Sequence, residues 1–472
     1  MAILIENATV IDGVADTARE NCSILIEGER IVQVGDVDCE KLPAGLERID
    51  ARGRFIIPGL MNANVHLFMA VNLESLSRYW DRYEDIILEA SQVALKHGLT
   101  TVFDTWGPRR FLIAARDRIA SGETVGARFF CAGNIVGLDG LFSPDFFSRA
   151  QEVASAVMTR RINAIWAEDM GRHLMWKTPG QVSAAIDAYL GRGIDFIKYA
   201  SNEHYPGAFL AFSPDQQRAI VDAAHARGKT AQAHSMSVEG LRIAVEAGCD
   251  LIQHCNKTGP VPIPGDTLDL MARRNTGAVV FPQTDAGLAW LLENLPEEQQ
   301  ESWRVSHRNA CNLVSAGVKL LLANDGAIMP PEWPTDPQWG KSWVTAPEAF
   351  NLAKLTTGHF VWFEAMAEKG CPPMAMLHAA TRNIAEAYGM ADDLGTIAAG
   401  KYADLLILEK NPLLDAKNYR TILSVMKSGK IIDREALPEH RLMSRDIEAP
   451  CEEEGRHIPF LGSGGRFPFS CC

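Results

Sequence analysis

Residues 213–254 read SPDQQRAIVDAAHARGKTAQAHSMSVEGLRIAVEAGCDLIQH, and this stretch decides the fold. Ser213, Pro214 and Gln216 supply an N-cap, a proline at the first helical position and a capping-box partner. Ala219, Ile220, Ala223 and Ala224 recur at helical spacing as one buried stripe, and Gly228 ends the helix. Thr230 to His234 then predicts a strand with a histidine at its C-terminal end. Leu241, Ala244 and Val245 mark a second helix that closes at Gly248, and Leu251 to His254 predicts the next strand, again ending in histidine. Strands that alternate with helices of this length are the grammar of a parallel sheet.

The period extends in both directions. GIDFIK (193–198) precedes the pair, and AVVFPQ (278–283) and VKLLLAND (318–325) follow it, each apolar run ending on a polar side chain. In a (β/α)8 barrel the C-terminal strand ends share one mouth, so such polar ends converge. About 320 residues, from 62 to 385, suit a barrel of this kind with insertions. Before them, Ile3–Ile5, Ala8–Ile11, Ser23–Ile26 and Arg30–Val34 predict short strands of a small antiparallel unit. The β pattern returns at Gly395–Ile397, 400–408 and 422–430. The expected class is α/β: a (β/α)8 TIM barrel over 62–385, a small composite β-sandwich built from both chain ends (1–61 and 386–440), and an irregular tail at 441–472.

Composition excludes several roles. Lys and Arg total 46 against 59 Asp and Glu, a net charge of −13 in 472 residues, the wrong sign for nucleic acid or an anionic membrane surface. No stretch reaches the roughly 20 apolar residues of a membrane span. The opening MAILIENATVIDG places Glu6 and Asn7 where a secretory leader needs a basic end and an apolar run. Ten cysteines without a C-x-x-C pair fit reduced thiols, so a cytoplasmic protein with no nucleic-acid or membrane partner is expected.

Chemistry concentrates at the strand ends. His66, His234, His254 and Asp325 offer imidazole and carboxylate donors suited to zinc, cobalt or manganese. Lys198 joins them, because a buried lysine beside a metal can lose its proton and take up carbon dioxide as an anionic carbamate. His204, in the loop after Lys198, is a candidate substrate contact. Beyond Asp325, the loop holding Met329, Pro330, Pro331, Trp333, Pro334, Trp339 and Trp343 is too long for a plain connection and predicts an aromatic lid or, alternatively, an oligomer contact. Lys341 is its only basic residue, which argues against a phosphorylated substrate. Phe68 and Trp80 are candidate walls on the first loop. His225, His307, His359 and His378 fall in helical patterns and read as surface or core, and Cys255 should point away from its neighbour His254.

FIIPGL (55–60), GLTTV (98–102), AATRNIA (379–385), GTI (395–397) and GKYADL (400–405), with the polar strand ends between them, resemble the metal-dependent amidohydrolase superfamily over nearly the whole chain. The resemblance implies a site of one or two divalent ions, zinc foremost, held by His66, Lys198 as N6-carboxylysine, His234, His254 and Asp325, with Asn64 a further candidate. Asn64 is the departure: the superfamily carries His-x-His here, and this chain reads Asn64-Val65-His66, a neutral amide oxygen in place of an imidazole. Asn-x-His resembles the herbicide-degrading branch that cleaves phenylureas and thiocarbamates. Gln283 and Thr284 match a turn that faces substrate in dipeptidase-like members, and with His204, Trp333 and Trp339 they are the implied substrate contacts. The implied reaction is hydrolysis of the urea C–N bond of a small apolar aromatic urea or carbamate-like compound. The resemblance implies attack by metal-activated hydroxide, with Asp325 and Lys198 as the catalytic side chains. A thiocarbamate or Xaa-Pro dipeptide substrate is the alternative within enzymes, and a catalytically silent scaffold the alternative outside them. A homo-oligomer is expected.

Overall fold

Alternating apolar residues near the amino terminus build β1 (Ala2–Val10), β2 (Arg19–Glu27), β3 (Arg30–Gly35), β4 (Glu47–Asp50) and β5 (Phe55–Pro58) in the computed structural model. It describes residues 2–37, 42, 45–68, 73–146, 150–204, 209–328, 347, 350–439 and 442. The aromatic loop with Trp333, Trp339 and Trp343 and the tail from 443 onward lie outside the described residues. The two short strands expected at Ile3–Ile5 and Ala8–Ile11 are one strand, irregular between Ile5 and Ala8, where Asn7 turns to φ 60°. Nor is the unit purely antiparallel: β1 pairs antiparallel with β2 but parallel with β4 and β5.

Eight strands follow, each with a parallel neighbour: β6 (Leu60–Val65), β7 (Leu99–Asp104), β8 (Arg128–Cys131), β9 (Ile197–Ala200), β10 (Ala231–His234), β11 (Leu251–Gln253), β12 (Gly277–Val280) and β13 (Leu320–Leu322). They form two runs, β6-β7-β8 and β13-β12-β11-β10-β9, and isolated parallel bridges Val65 to Gly326 and Val136 to Tyr199 lie between the runs. With helices between them and buried residues throughout, this is a TIM-barrel-like α/β fold. Local chemistry explains the helix ends. Ser213 and Thr178 both close capping boxes with a glutamine three positions on, and Gly248 ends its helix at φ 93°.

Three expectations need correction. Lys198 is the second of four residues in β9, not its end, because pairing with β10 carries the strand on to Ala200. Residues 379–385, whose motif resembles the superfamily's last barrel helix, are not one helix: helices Pro373–Ala379 and Arg382–Ala387 flank Thr381, whose hydroxyl turns back to the Leu377 carbonyl. Residues 395–397 form no strand, although the Ile397 amide still donates to the Asp12 carbonyl.

The chain ends with β14 (Leu405–Leu408), β15 (Ile422–Lys427) and β16 (Lys430–Ile431), joined to the first strands in the order β16-β15-β14-β5-β1-β2-β3. Leu408 faces Phe55 and Leu405 faces Pro58 in the antiparallel β14–β5 ladder. Ile3, Ile24, Ile26 and Ile56 pack with Leu405, Ile407 and Met426 into a core of their own, drawn from both chain ends. Gly429 turns the β15–β16 hairpin at φ 71°, and a Cβ there would meet the Gly28 carbonyl oxygen at 2.1 Å. No helix among the described residues is long and apolar enough to cross a membrane.

Candidate metal centre and substrate cavity

His66 directly follows β6, His234 is the last residue of β10, His254 directly follows β11, and Asp325 lies just past β13. Parallel pairing brings these C-terminal ends together. His66 Nε2 stands 3.4 Å from Asp325 Oδ1, and His254 Nδ1 stands 3.5 Å from Asp325 Oδ2. The His234 and His254 rings meet edge to face with centroids 4.9 Å apart. His254 (φ 56°) and Asp325 (φ 49°) both hold left-handed backbone, a conformation that costs a non-glycine residue about 1–3 kcal/mol and is found where a site over-determines it.

All of these side chains are buried. Burial pushes His66 down and His234 and His254 well down, so the imidazoles are neutral donors. Burial works to raise the Asp325 carboxyl, but the facing His254 and His66 outweigh it and hold the group low. Lys198 is lowered to about 8 by burial, against the pull of Asp325 and Asp104. Its Nζ donates to Thr105 Oγ1 at 3.0 Å. Asp104 accepts from the Leu67 and Trp106 amides at 2.7 and 3.2 Å, yet burial still raises it to about 8.

Do these residues fit a divalent ion? Among the described residues no three His, Cys, Asp or Glu side chains already converge as a coordination shell. Their unspent donors nevertheless suit one. His234 Nδ1 and Nε2 and Asp325 Oδ1 are buried without any hydrogen-bond partner, a condition that costs about 1–3 kcal/mol per group unless a ligand relieves it. The His66 contact with Oδ1 is close enough for an ion pair but too poorly aligned for a hydrogen bond. Neutral imidazoles and an ionised carboxylate are the donors a zinc-like ion takes. Asn64 differs from them: its Oδ1 accepts from Thr105 Oγ1 at 2.5 Å and its Nδ2 donates to Gln253 Oε1 at 2.8 Å.

Around the centre stand aromatic walls. His204 stacks on His234 with centroids 5.2 Å apart, Phe146 lies 4.7 Å from His204, and Trp106 stacks on Phe146 at 3.9 Å. Burial lowers His204 to about 4. Phe68 is a core residue, packed on Tyr83 and Trp166 with centroids 4.6 and 5.7 Å away, and not the wall expected of it; Trp80 is exposed. Beside Asp325 lies a small cavity lined by Lys257, Phe281, Gln283, Leu291, Trp303, Asn324, Phe350 and Leu352. Gln283 thus reaches the cavity, whereas Thr284 caps the helix Asp285–Asn294 by accepting from the Gly287 amide at 3.0 Å. Cys255 is turned away from the centre onto Met271.

Sequence reading missed Lys257, a half-buried cation 5.0 Å from the Phe281 ring and 5.6 Å from the Trp303 ring, with the Asp325 charge close by. A lysine in a loop reads as solvated, and only the aromatic residues brought in from elsewhere reveal it. It also missed Thr105 and Gln253, whose partners belong to other strands.

The amidohydrolase family profile matches residues 55–432. Among solved structures, a molinate hydrolase is 35% identical with a TM-score of 0.86, covering 98% of this chain and 99% of its own. Phenylurea hydrolase B is 34% identical with a TM-score of 0.85, covering 93% and 98%. The imidazolonepropionase of Shouchella clausii (strain KSM-K16) is 24% identical over 442 residues, 88% of this chain and 86% of that protein. With the strand-end histidines, the aspartate and these likenesses together, the chain belongs to the amidohydrolase family, hydrolases of carbon–nitrogen bonds other than peptide bonds.

Proposed function

We propose that this protein hydrolyses the urea C–N bond of small apolar arylureas, releasing an aniline and a carbamic acid that falls apart to an amine and carbon dioxide. The observation that carries the reading is the cavity lined by Phe281, Trp303 and Phe350, which opens against Asp325. Similarity to phenylurea hydrolase B over nearly the whole chain supports it. A thiocarbamate is the second reading, favoured by an equal likeness to molinate hydrolase.

A divalent ion, zinc foremost, would be held by His66, His234, His254, Asp325 and Lys198 as its carbamate. When bound, it supplies a Lewis acid that polarises a carbonyl and acidifies water. Asp325 takes the proton of the attacking water as the C–O bond forms, then returns it to the aniline nitrogen as the C–N bond breaks. That second transfer matters for ureas, whose two nitrogens both donate into the carbonyl and leave poorly without a proton. His204 and Gln283 orient the carbamoyl group, and Phe281 and Trp303 cover the ring and exclude water. The finer architecture belongs to the same proposal: β6 to β13 close into a (β/α)8 barrel over 62–385, and the strands of 1–61 and 386–440 form one sandwich domain.

The test is parallel turnover, with one zinc-loaded sample, of a phenylurea, a thiocarbamate and an Xaa-Pro dipeptide. Aniline release at a kcat/KM at least tenfold above the other two is expected. Preference for the thiocarbamate would establish the second reading, and no turnover of any of them, with zinc bound, would return the silent scaffold.

A further inference from the structure

Asn64 belongs to a chain of six buried hydrogen bonds whose direction is fixed from its far end. The Ala63 carbonyl can only accept, so the Tyr388 hydroxyl, 2.8 Å away, must spend its single proton there. Tyr388 therefore accepts from Gln232 Nε2 at 3.0 Å, which turns Gln232 Oε1 towards Gln253 Nε2. Gln253 Oε1 in turn accepts from Asn64 Nδ2 at 2.8 Å, leaving Asn64 Oδ1 to accept the Thr105 proton at 2.5 Å. With its one proton committed, Thr105 can offer Lys198 only a lone pair, and Nζ donates to it at 3.0 Å. All three amide orientations are thus set by logic that begins at the Ala63 carbonyl, which Gln253 Nε2 also reaches at 3.4 Å. Every member is buried.

We propose that this directed chain is the device that aims Lys198, and that Asn64 serves in it as a positioning residue instead of a metal ligand. Its Nδ2 is spent on Gln253 and its Oδ1, the atom an ion would take, already accepts the Thr105 proton, so ligation would compete with that buried link. The chain holds one N–H of Lys198 on Thr105. An amine and a carbamate nitrogen both keep that N–H, so the same link serves either form. Where a histidine would bring a donor to the ion, Asn64 brings order to a lysine.

The inference rests on the metal reading above, and its test separates the two. Cobalt(II) is titrated into the metal-free full-length protein against a competing chelator, the visible spectrum of the bound ion is recorded, and the melting midpoint of each metal-free variant is measured alongside. Thr105→Val keeps the side-chain shape without the hydroxyl, and Tyr388→Phe cuts the chain at its remote end. The Phe keeps its ring on Phe103, where the centroids are 3.6 Å apart, and so carries the test even if Thr105→Val loses its fold. Loss of a partner behind a metal-binding group typically weakens the ion about 10- to 100-fold. We expect about tenfold weaker cobalt(II) with Thr105→Val, about threefold with Tyr388→Phe, a shifted visible band in both, and recovery to within twofold with Thr105→Ser. Affinities and spectra unmoved in Thr105→Val and Tyr388→Phe would overturn the positioning chain while leaving the metal reading intact. So would an Asn64→Ala protein that loses one ion per chain while Thr105→Val keeps them all. A wild-type protein that takes up no cobalt(II) overturns both.

Discussion

Asp325 accepts no ordinary hydrogen bond at Oδ1, holds a strained backbone, and faces two imidazoles that keep it ionised. A carboxylate so placed is ionised and keeps Oδ1 free of any hydrogen bond within the protein. Asp325→Asn should lower kcat at least about 10³-fold, within the range expected for a lost acid–base group, with zinc content by elemental analysis within twofold of wild type. Retained turnover would remove Asp325 from proton transfer. On the cavity side, Trp303→Ala should raise KM for an arylurea about tenfold, worth about 1.4 kcal/mol of lost ring burial, with kcat within threefold. A fall in kcat alone would place Trp303 against the reacting atoms and not the ring. At this scale the sequence was only partly readable. His66, His234, His254 and Asp325 stand out because each falls at the end of a predicted strand, a local signal. Lys257 and the Asn64 partners give no such signal, since a lysine over two rings and an amide paired with an amide exist only after separate strands meet.

Among the elements, those whose limits are written in neighbouring residues follow the sequence most closely. The helix Pro214–Ala226 begins on its predicted cap because Ser213 and Gln216 bond each other's backbone, a decision taken within four residues. Where pairing with a distant strand decides, the reading slips: β9 runs past Lys198 and 395–397 never becomes a strand. The β15–β16 hairpin belongs to the second kind, since its turn is pressed against the β2–β3 turn. Gly429→Ala combines a φ of 71° with a 2.1 Å approach to the Gly28 carbonyl. Left-handed backbone at a non-glycine residue alone costs about 1–3 kcal/mol, so the total should exceed about 2 kcal/mol in urea unfolding. A loss below 0.5 kcal/mol, on the order of an ordinary surface change, would mean that the two turns separate freely.

Over the whole molecule, buried histidines set the acid limit. His359, wholly buried with Nε2 donating to the His97 carbonyl, is pushed down to about 3 chiefly by burial, and His97 to about 4 for the same reason. Unfolded, each would titrate near 6.5. Between those values the unfolded chain binds more protons than the folded one, so this share of stability is complete above pH 6.5 and is lost as pH falls towards 4. His359→Gln keeps an N–H for the His97 carbonyl without the titration. Its urea midpoint should fall less steeply than wild type between pH 6.5 and 4, by about one proton's slope, and an equal slope would mean that His359 opens to water before unfolding.

The sheet shared by both chain ends has a consequence for synthesis. β5 leaves the ribosome early, but the strand that covers its outer edge, β14, is made some three-quarters of the chain later. Throughout that interval a growing chain carries Phe55 to Pro58 as an open edge, the kind of template on which nascent chains pair wrongly with one another. The half-made protein is thus its most vulnerable form, and translation slowed ahead of residue 405 should cost more product to aggregation than the same delay placed after residue 431.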